Sequence, residues 1–464
     1  MKITPSKFQE SARKTIQDPR LQEAFYSGMV RFTNARNAEY ANVPDIAAMR
    51  DELKQIRQAT IANLAEHLEE FERNAHLAGA VVHWAKDSGD VGRIVLEIAR
   101  REGGKRIVKS KSMVTEEVEL NHILETAGME VVETDLGEYI IQLAGEKPSH
   151  IIAPAVHQTT HQVAELFSRH LKREVEASPE ALTEIARQIL RRMFLEAKIG
   201  ISGVNLGVSE TGSIVLVTNE GNGRMVTSLP PVHIAVMGIE RITPTWEAAA
   251  KWLSLLARSA TGQPLSIYTS VITGPAKEDE LDGPREVHII LLDNRRSTLT
   301  GTKYQEILEC IRCGACLSVC PVYTQSGGHA YHSPYSGPIG AVVSPLLFGL
   351  EQYPGLPQAS TLCGACLEVC PVRIDLPRML LALREDSVAQ GLVPWPEAAA
   401  ERIGGALMAK PASMNLMFKL GRLGQFFIKL FAIKLKGFEN VPIIAGKSFR
   451  SIWKNLEIEN EPPD

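Results

Sequence analysis

The sequence predicts an α/β protein: a helical amino-terminal segment, a domain built on a mostly parallel sheet, and a separate cysteine-bearing module. Three observations predict it. Apolar residues near the amino end recur at helical spacing, short continuously apolar runs alternate with helix-like stretches beyond Gly103-Gly104, and all seven cysteines lie between Cys310 and Cys370. The expected segments are 1–69, helical; 70–295, α/β; 296–390, the cysteine module; and 391–464, a basic amphipathic region.

Met49, Leu53, Ile56, Leu64, Leu68 and Phe71 follow at steps of three and four with one slip, the stripe of an amphipathic helix that packs in a core. The next apolar runs are RIV at 106–108, MEVVE at 129–133, HIIAPA at 150–155, SIVLV at 213–217, HIAVMG at 233–238 and EVHIILL at 286–292. Several lack alternation, as expected of strands covered on both faces. Helical stretches between them argue for a parallel sheet. The clearest begins at Ser178-Pro179, a cap and first-turn pair, with Leu182, Ile185, Ile189 and Met193 on one face. Gly221-Asn222-Gly223 reads as a tight hairpin turn.

A net charge of −4 gives no general attraction to nucleic acid. The start, MKITPSKFQESARK, has no apolar stretch behind its lysines, so a secretory signal is not expected. No run approaches the roughly 18 apolar residues of a membrane span, and a cytoplasmic protein is the expectation. From Lys410 to Lys454, nine lysines and arginines face one acid, Glu439, and FKLGRLGQFFIKLFAIKLKGF interleaves them with apolar residues. Burial of that face in protein is the default, and contact with the inner face of a membrane is the alternative.

Cys310, Cys313, Cys316 and Cys320, followed by Pro321, spell C-x2-C-x2-C-x3-C-P, the bacterial ferredoxin run. A second copy, STLCGACLEVCP, supplies Cys363, Cys366 and Cys370. Three thiolates two residues apart reach different irons of one [4Fe–4S] cluster, and the fourth is carried by the next turn to the other cluster. Cross-ligation then gives cluster one Cys310, Cys313, Cys316 and Cys370, and cluster two Cys320, Cys363 and Cys366. A structural zinc also takes four thiolates, but it explains one foursome and not the Cys-Pro endings of both halves.

Ser360 stands where the symmetrical motif would have an eighth thiol. Three outcomes follow for the second cluster: a [3Fe–4S] core; a [4Fe–4S] core whose last iron takes Ser360, water, His329 or His332; or an iron open to substrate as a Lewis acid. A four-iron cluster with a non-cysteine or labile fourth position is the favoured reading, beside the plain one of Ser360 as a helix cap. The insertion YTQSGGHAYHSPYSGPIGAV can cover the clusters or dock a partner, and His329, Tyr331 and His332 are candidates for proton handling.

The seven-cysteine module, together with ETGSIVLVTNEGNGR at 210–224, TGPAKEDELDG at 273–283 and GGHAY at 327–331, resembles the lactate utilisation protein B family over nearly the whole chain. The resemblance implies an α/β domain similar to the ribose-5-phosphate isomerase and CoA-transferase superfamily, followed by an α-helical dicluster ferredoxin module. It implies electron transfer in oxidation of L-lactate to pyruvate with two companion proteins, and the seven cysteines match the family's cluster ligands one by one.

CoA transferases of similar fold use a glutamate nucleophile, for which Glu210 is the nearest candidate here. A polar turn entering a buried strand is the favoured reading of Glu210. Arg224, after Gly221-Asn222-Gly223, is a candidate holder of a small anion. AGKS at 445–448 lacks the first glycine of a phosphate loop, having Val441 there, and no dinucleotide fingerprint follows a strand. Three readings remain: an electron relay between a lactate-oxidising partner and an acceptor such as quinone; a catalyst using the three-cysteine cluster or the Glu210/Arg224 region; and a scaffold with structural clusters.

Overall fold

The computed structural model describes residues 7–146, 148–150, 153–430, 444–447 and 449–453. Residues up to Ser387 form one compact unit and those from Val388 another. The first unit holds β1 (Val81–Ala85), β2 (Arg106–Lys109), β3 (Glu130–Glu133), β4 (Ile199–Gly203), β5 (Leu206–Val208), β6 (Ser213–Thr218), β7 (Val232–Gly238), β8 (Ile242–Thr243), β9 (Tyr268–Ile272) and β10 (Glu286–Leu292).

Six of them form one sheet in the order β1-β10-β7-β4-β2-β3, parallel throughout. The physical reason lies in the helices on both faces. Ile107, Val131, Ile199, Val232 and Ile290 pack on one side with helices Ser88–Glu102 and Leu120–Thr126. Val108 and Val132, one residue on, pack on the other with helices Leu136–Ala144, Thr160–Leu171 and Pro179–Glu196. Alternate side chains thus enter alternate cores, and every residue of β7 is buried. A smaller mixed sheet runs β8-β5-β6-β9.

Several sequence expectations change. The stripe from Met49 to Phe71 is two helices, Ile46–Ala62 and Leu64–Leu77, and the slip in its period is the break at Asn63. Ser178 caps its helix through Ala181 N–H at 3.3 Å, but the innermost face is Leu182, Ala186, Leu190 and Phe194, one step round from the expected one. HIIAPA yields no strand among its described residues: Pro154 to His157 form a turn whose carbonyl at Pro154 accepts from Ser149 N–H and Oγ. The hairpin is not at Asn222-Gly223, where helix Asn222–Ser228 begins. A crossover is needed there because β6 and β7 belong to different sheets. The hairpin joins β5 to β6 through Ser209 to Gly212. Gly212 has φ +65°, and a Cβ on it would stand 2.1 Å from Ala75 N.

The second unit contains helices Trp395–Met408, Pro411–Leu430 and Phe449–Trp453. Much of the expected basic amphipathic stretch, residues 431–443, lies outside the described residues. No described helix is long and apolar enough to cross a membrane.

Candidate iron–sulfur site

The two halves of the cysteine module repeat one backbone path. Arg312 (φ +59°) and Gly314 (φ +76°) turn the first half into helix Ala315–Ser318; Leu362 (φ +56°) and Gly364 (φ +84°) turn the second into helix Ala365–Val369. Left-handed residues other than glycine cost about 1–2 kcal/mol each, and such strain gathers at functional sites. The two short helices pack against each other. Pro321 then opens helix Pro321–Ser326, which leaves Cys320 at its cap, its Sγ accepting from Tyr323 N–H at 3.4 Å.

Packing brings the thiols together in two sets. Burial and then the charge of Cys370 and Cys310 push the Cys313 thiol up. Burial and then Cys310, Cys313, Cys366 and Cys370 do the same to Cys316. Burial foremost lifts Cys370 to about 11, with Cys310 adding to it. In the other set, burial and then Cys363 raise Cys320, and burial followed by Cys320 and Cys363 raises Cys366 to about 12. Cys363 alone is exposed, and its thiol is held below the ordinary range by Ala365 N–H and by the Thr361 side chain. Cys316 and Cys366 are the link between the sets.

This donor set fits iron–sulfur clusters. Zn–S bonds of about 2.3 Å would draw four thiols to a point, whereas no three His, Cys, Asp or Glu side chains among the described residues converge on a single-ion site. The thiols instead lie in two adjoining sets, and thiols raised by burial need cationic iron to become thiolates.

Ser360 repeats the place of Cys310. Cys310 Sγ accepts the N–H of Arg312 at 3.4 Å, and Ser360 Oγ accepts that of Leu362 at 3.1 Å, each two residues on and left-handed. Ser360 caps no α-helix among the described residues.

The amino-terminal helices fasten this module. Arg50 Nη2 donates to the Cys370 carbonyl at 2.8 Å, Thr33 Oγ1 to that of Ser318 at 3.2 Å, and Gln22 Nε2 to that of Gln325 at 2.7 Å. Phe8 packs edge-on to Tyr331 at 5.1 Å, and Phe25 to Tyr323 at 6.0 Å. The GGHAY stretch lies close against the α/β domain: a Cβ on Gly328 would stand 1.8 Å from the Ser149 carbonyl oxygen. His329 is exposed with its ring 4.6 Å from that of His157, which bonds Glu146 at 2.7 Å. His332 Nε2 bonds Ser11 Oγ at 2.7 Å, whereas Tyr331 is buried near Cys320 and Cys316.

Glu210 sits exposed in the β5–β6 turn and accepts the N–H of Trp246, at the start of helix Trp246–Thr261, at 2.5 Å. Arg224 is exposed on helix Asn222–Ser228.

Sequence reasoning missed a cavity of about 440 Å³. It lies where the segments following β2, β3, β4, β7 and β10 meet the cysteine module, and Cys313 lines it. Ligand sites in parallel α/β sheets form at this carboxyl edge. Its module side carries Arg241, Arg296, Arg312 and Tyr335; its far side carries Lys111, Asp135 and Glu220. Burial pushes Glu240 up, but Arg296, Arg312 and Arg241 outweigh it and hold it at about 2. Burial and then Asp135 raise Glu220 to about 7. Arg312 lay in plain view within CIRCGAC; the other cavity residues carried no motif.

Comparison with known proteins follows the same division. Residues 68–292 match the LUD domain and residues 306–374 a 4Fe-4S dicluster domain. The chain is 44% identical to lactate utilization protein B of Macrococcus caseolyticus and to its namesake in Bacillus subtilis, each over 91% of this chain and 88% of that protein. It is 40% identical to an uncharacterized electron transport protein, YkgF, of Escherichia coli K12 over 99% of both.

Proposed function

The chain belongs to the lactate utilization protein B family, an iron–sulfur protein of lactate utilisation, and from that premise we propose that it is the electron-transfer subunit of an L-lactate-oxidising system. Two four-iron clusters supply one-electron transfer when bound. Cys310, Cys313, Cys316 and Cys370 would hold the inner one; Cys320, Cys363 and Cys366 would hold the outer, with Ser360 at its fourth position. The observation that carries the reading is the placement of the two thiol sets. Cys313 borders the cavity at the carboxyl edge of the sheet and Cys363 is at the surface, so the module runs from that cavity to an exterior face.

The chain's own residues support that task. Backbone N–H groups of Arg312 and Tyr323 reach Cys310 and Cys320 Sγ, and such bonds to sulfur tune potential. Arg50 and the neighbouring helices hold the Cys370 loop against solvent. Companion lactate-utilisation proteins deliver the electrons, and the basic region beyond residue 391 contacts the acceptor, quinone at a membrane surface. The four-segment division and the likeness of the α/β domain to the isomerase and CoA-transferase superfamily belong to the same reading.

The test is iron and sulfide content with electron paramagnetic resonance on protein purified without oxygen, before and after L-lactate. Clusters that stay oxidised until the companion proteins are added are expected. Reduction by lactate with this chain alone would overturn the relay and make the chain the catalyst.

A further inference from the structure

The half-open cavity at the carboxyl edge of the sheet has a volume of about 440 Å³, within the range of small-molecule sites. Its module side holds a surplus of positive charge. Three guanidinium groups, Arg241, Arg296 and Arg312, border it, and two buried carboxylates, Glu117 and Glu240, answer them. Arg296 takes Glu117 at 2.7 and 2.8 Å and Glu240 at 2.6 Å. Arg241 donates to the backbone carbonyls of Cys310, at 3.0 Å, and Asn205. Arg312 has less: its Nη2 lies 3.6 Å from Glu240 Oε1, and its guanidinium sits 4.6 Å over the ring of Tyr335. Its Nη1 is buried with no hydrogen-bond partner among the described residues. A buried donor left unmatched costs about 1–3 kcal/mol, more when charged.

We infer that this cavity binds a small carboxylate anion, with Arg312 taking the carboxylate beside Cys313. A guanidinium with a free Nη matches a carboxylate in a fork. Ser110, Ser112 and Asn205 line the walls and offer hydroxyl and amide partners to a neighbouring hydroxyl or keto oxygen, which selects 2-hydroxy and 2-oxo acids. The choice of these acids rests on the lactate reading above; the anion preference rests on the arginines. The bound iron–sulfur centre is the competing counter-charge for Arg312, since its backbone already serves Cys310.

The experiment is calorimetric titration of the cluster-loaded full chain, without oxygen, with L-lactate, pyruvate and inorganic phosphate. Saturable binding of the two acids in preference to phosphate is expected, weakened about tenfold or more, roughly 1.4 kcal/mol, in Arg312→Gln. Because Arg312 is buried, Val204→Phe is the second variant: it narrows the cavity from the sheet side without touching an arginine, and the same loss is expected. Failure of the wild type to bind either acid, equal binding of phosphate, or unchanged binding in both variants would each overturn the inference. A cluster potential that shifts in Arg312→Gln while the wild type binds no acid would assign Arg312 to cluster charge alone. Lactate-driven reduction through companion proteins, with no acid bound here, overturns the site and leaves the relay standing. Acid binding without such reduction does the reverse.

Discussion

Arg57 donates from Nη2 to the backbone carbonyl of Leu308 at 2.8 Å, across 251 positions of sequence. The same guanidinium reaches the carbonyls of Glu240 at 2.6 Å, Ile242 at 2.7 Å and Glu309 at 3.3 Å, and lies 4.3 Å over the ring of Trp252. One buried side chain on an amino-terminal helix therefore joins the α/β domain to the chain entering the first cysteine. Removing it strands several buried carbonyls, and Arg57→Ala is expected to cost about 3–5 kcal/mol. Arg57→Lys should recover part of this, because one ammonium donates from a single point. Thermal unfolding of the cluster-loaded protein reads both, and an unchanged Tm in Arg57→Ala would remove the clamp.

Ser360→Cys tests the second cluster directly. Since Ser360 Oγ already makes the backbone contact that Cys310 Sγ makes in the other half, a thiol there should ligate without rearrangement. The expected result is a second cluster with a shifted midpoint potential and full occupancy by paramagnetic resonance, with lactate-driven reduction through the companions intact. Loss of that reduction at unchanged iron content would mean that the open iron position, not a relay, is what the system uses.

Cys363→Ala should separate the clusters. Cys363, the one exposed thiol, belongs to the set with Cys320 and Cys366, and the other set carries four thiols of its own. Iron content is expected to fall from about eight to about four per chain, with the signal of one cluster retained. Disappearance of both signals would show that the two thiol sets do not load independently.

What could be read from residues and what could not differ in range along the chain. HIAVMG reads as a doubly covered strand because the residues that follow His233 are continuously apolar, and the Cys-Pro repeat is legible because its cysteines follow at fixed short spacing. Strand β4, KIGISG in outline, is hidden by its glycines. Gly200 is there because a Cβ would stand 2.0 Å from the Val226 carbonyl oxygen, a contact made only in the fold. HIIAPA has strand composition, yet its described end turns at Pro154, whose carbonyl accepts from Ser149, the residue against which Gly328 packs. Arg57, Arg241 and Arg296 resemble surface arginines in sequence, and their partners stand far away in the chain, as Glu117 does from Arg296 by 179 positions. The cavity assembled from such residues has no local signature.

The protein should lose stability in mild acid through His233. This residue sits fully buried on β7 with Nε2 at 2.8 Å from Ser202 Oγ. Burial first, then the charge of His288, drives its pKa from 6.5 down to about 3. Between those values the unfolded chain takes up a proton that the folded chain refuses, so stability is present above pH 6.5 and falls as pH drops toward 3. Over the interval from pH 7 to pH 5 this single site removes about 2 kcal/mol. Glu220 and Glu138 act in the opposite sense, because burial raises them to about 7 and about 8 and folding retains their protons. The comparison must therefore be a difference. The Tm of wild type against that of His233→Gln, followed from pH 7 to pH 5, cancels the carboxyl contributions and leaves the histidine. The variant starts lower and declines less steeply, so the two curves converge in acid. Parallel curves would mean that His233 accepts its proton inside the fold, and that the sheet admits a charge at its centre.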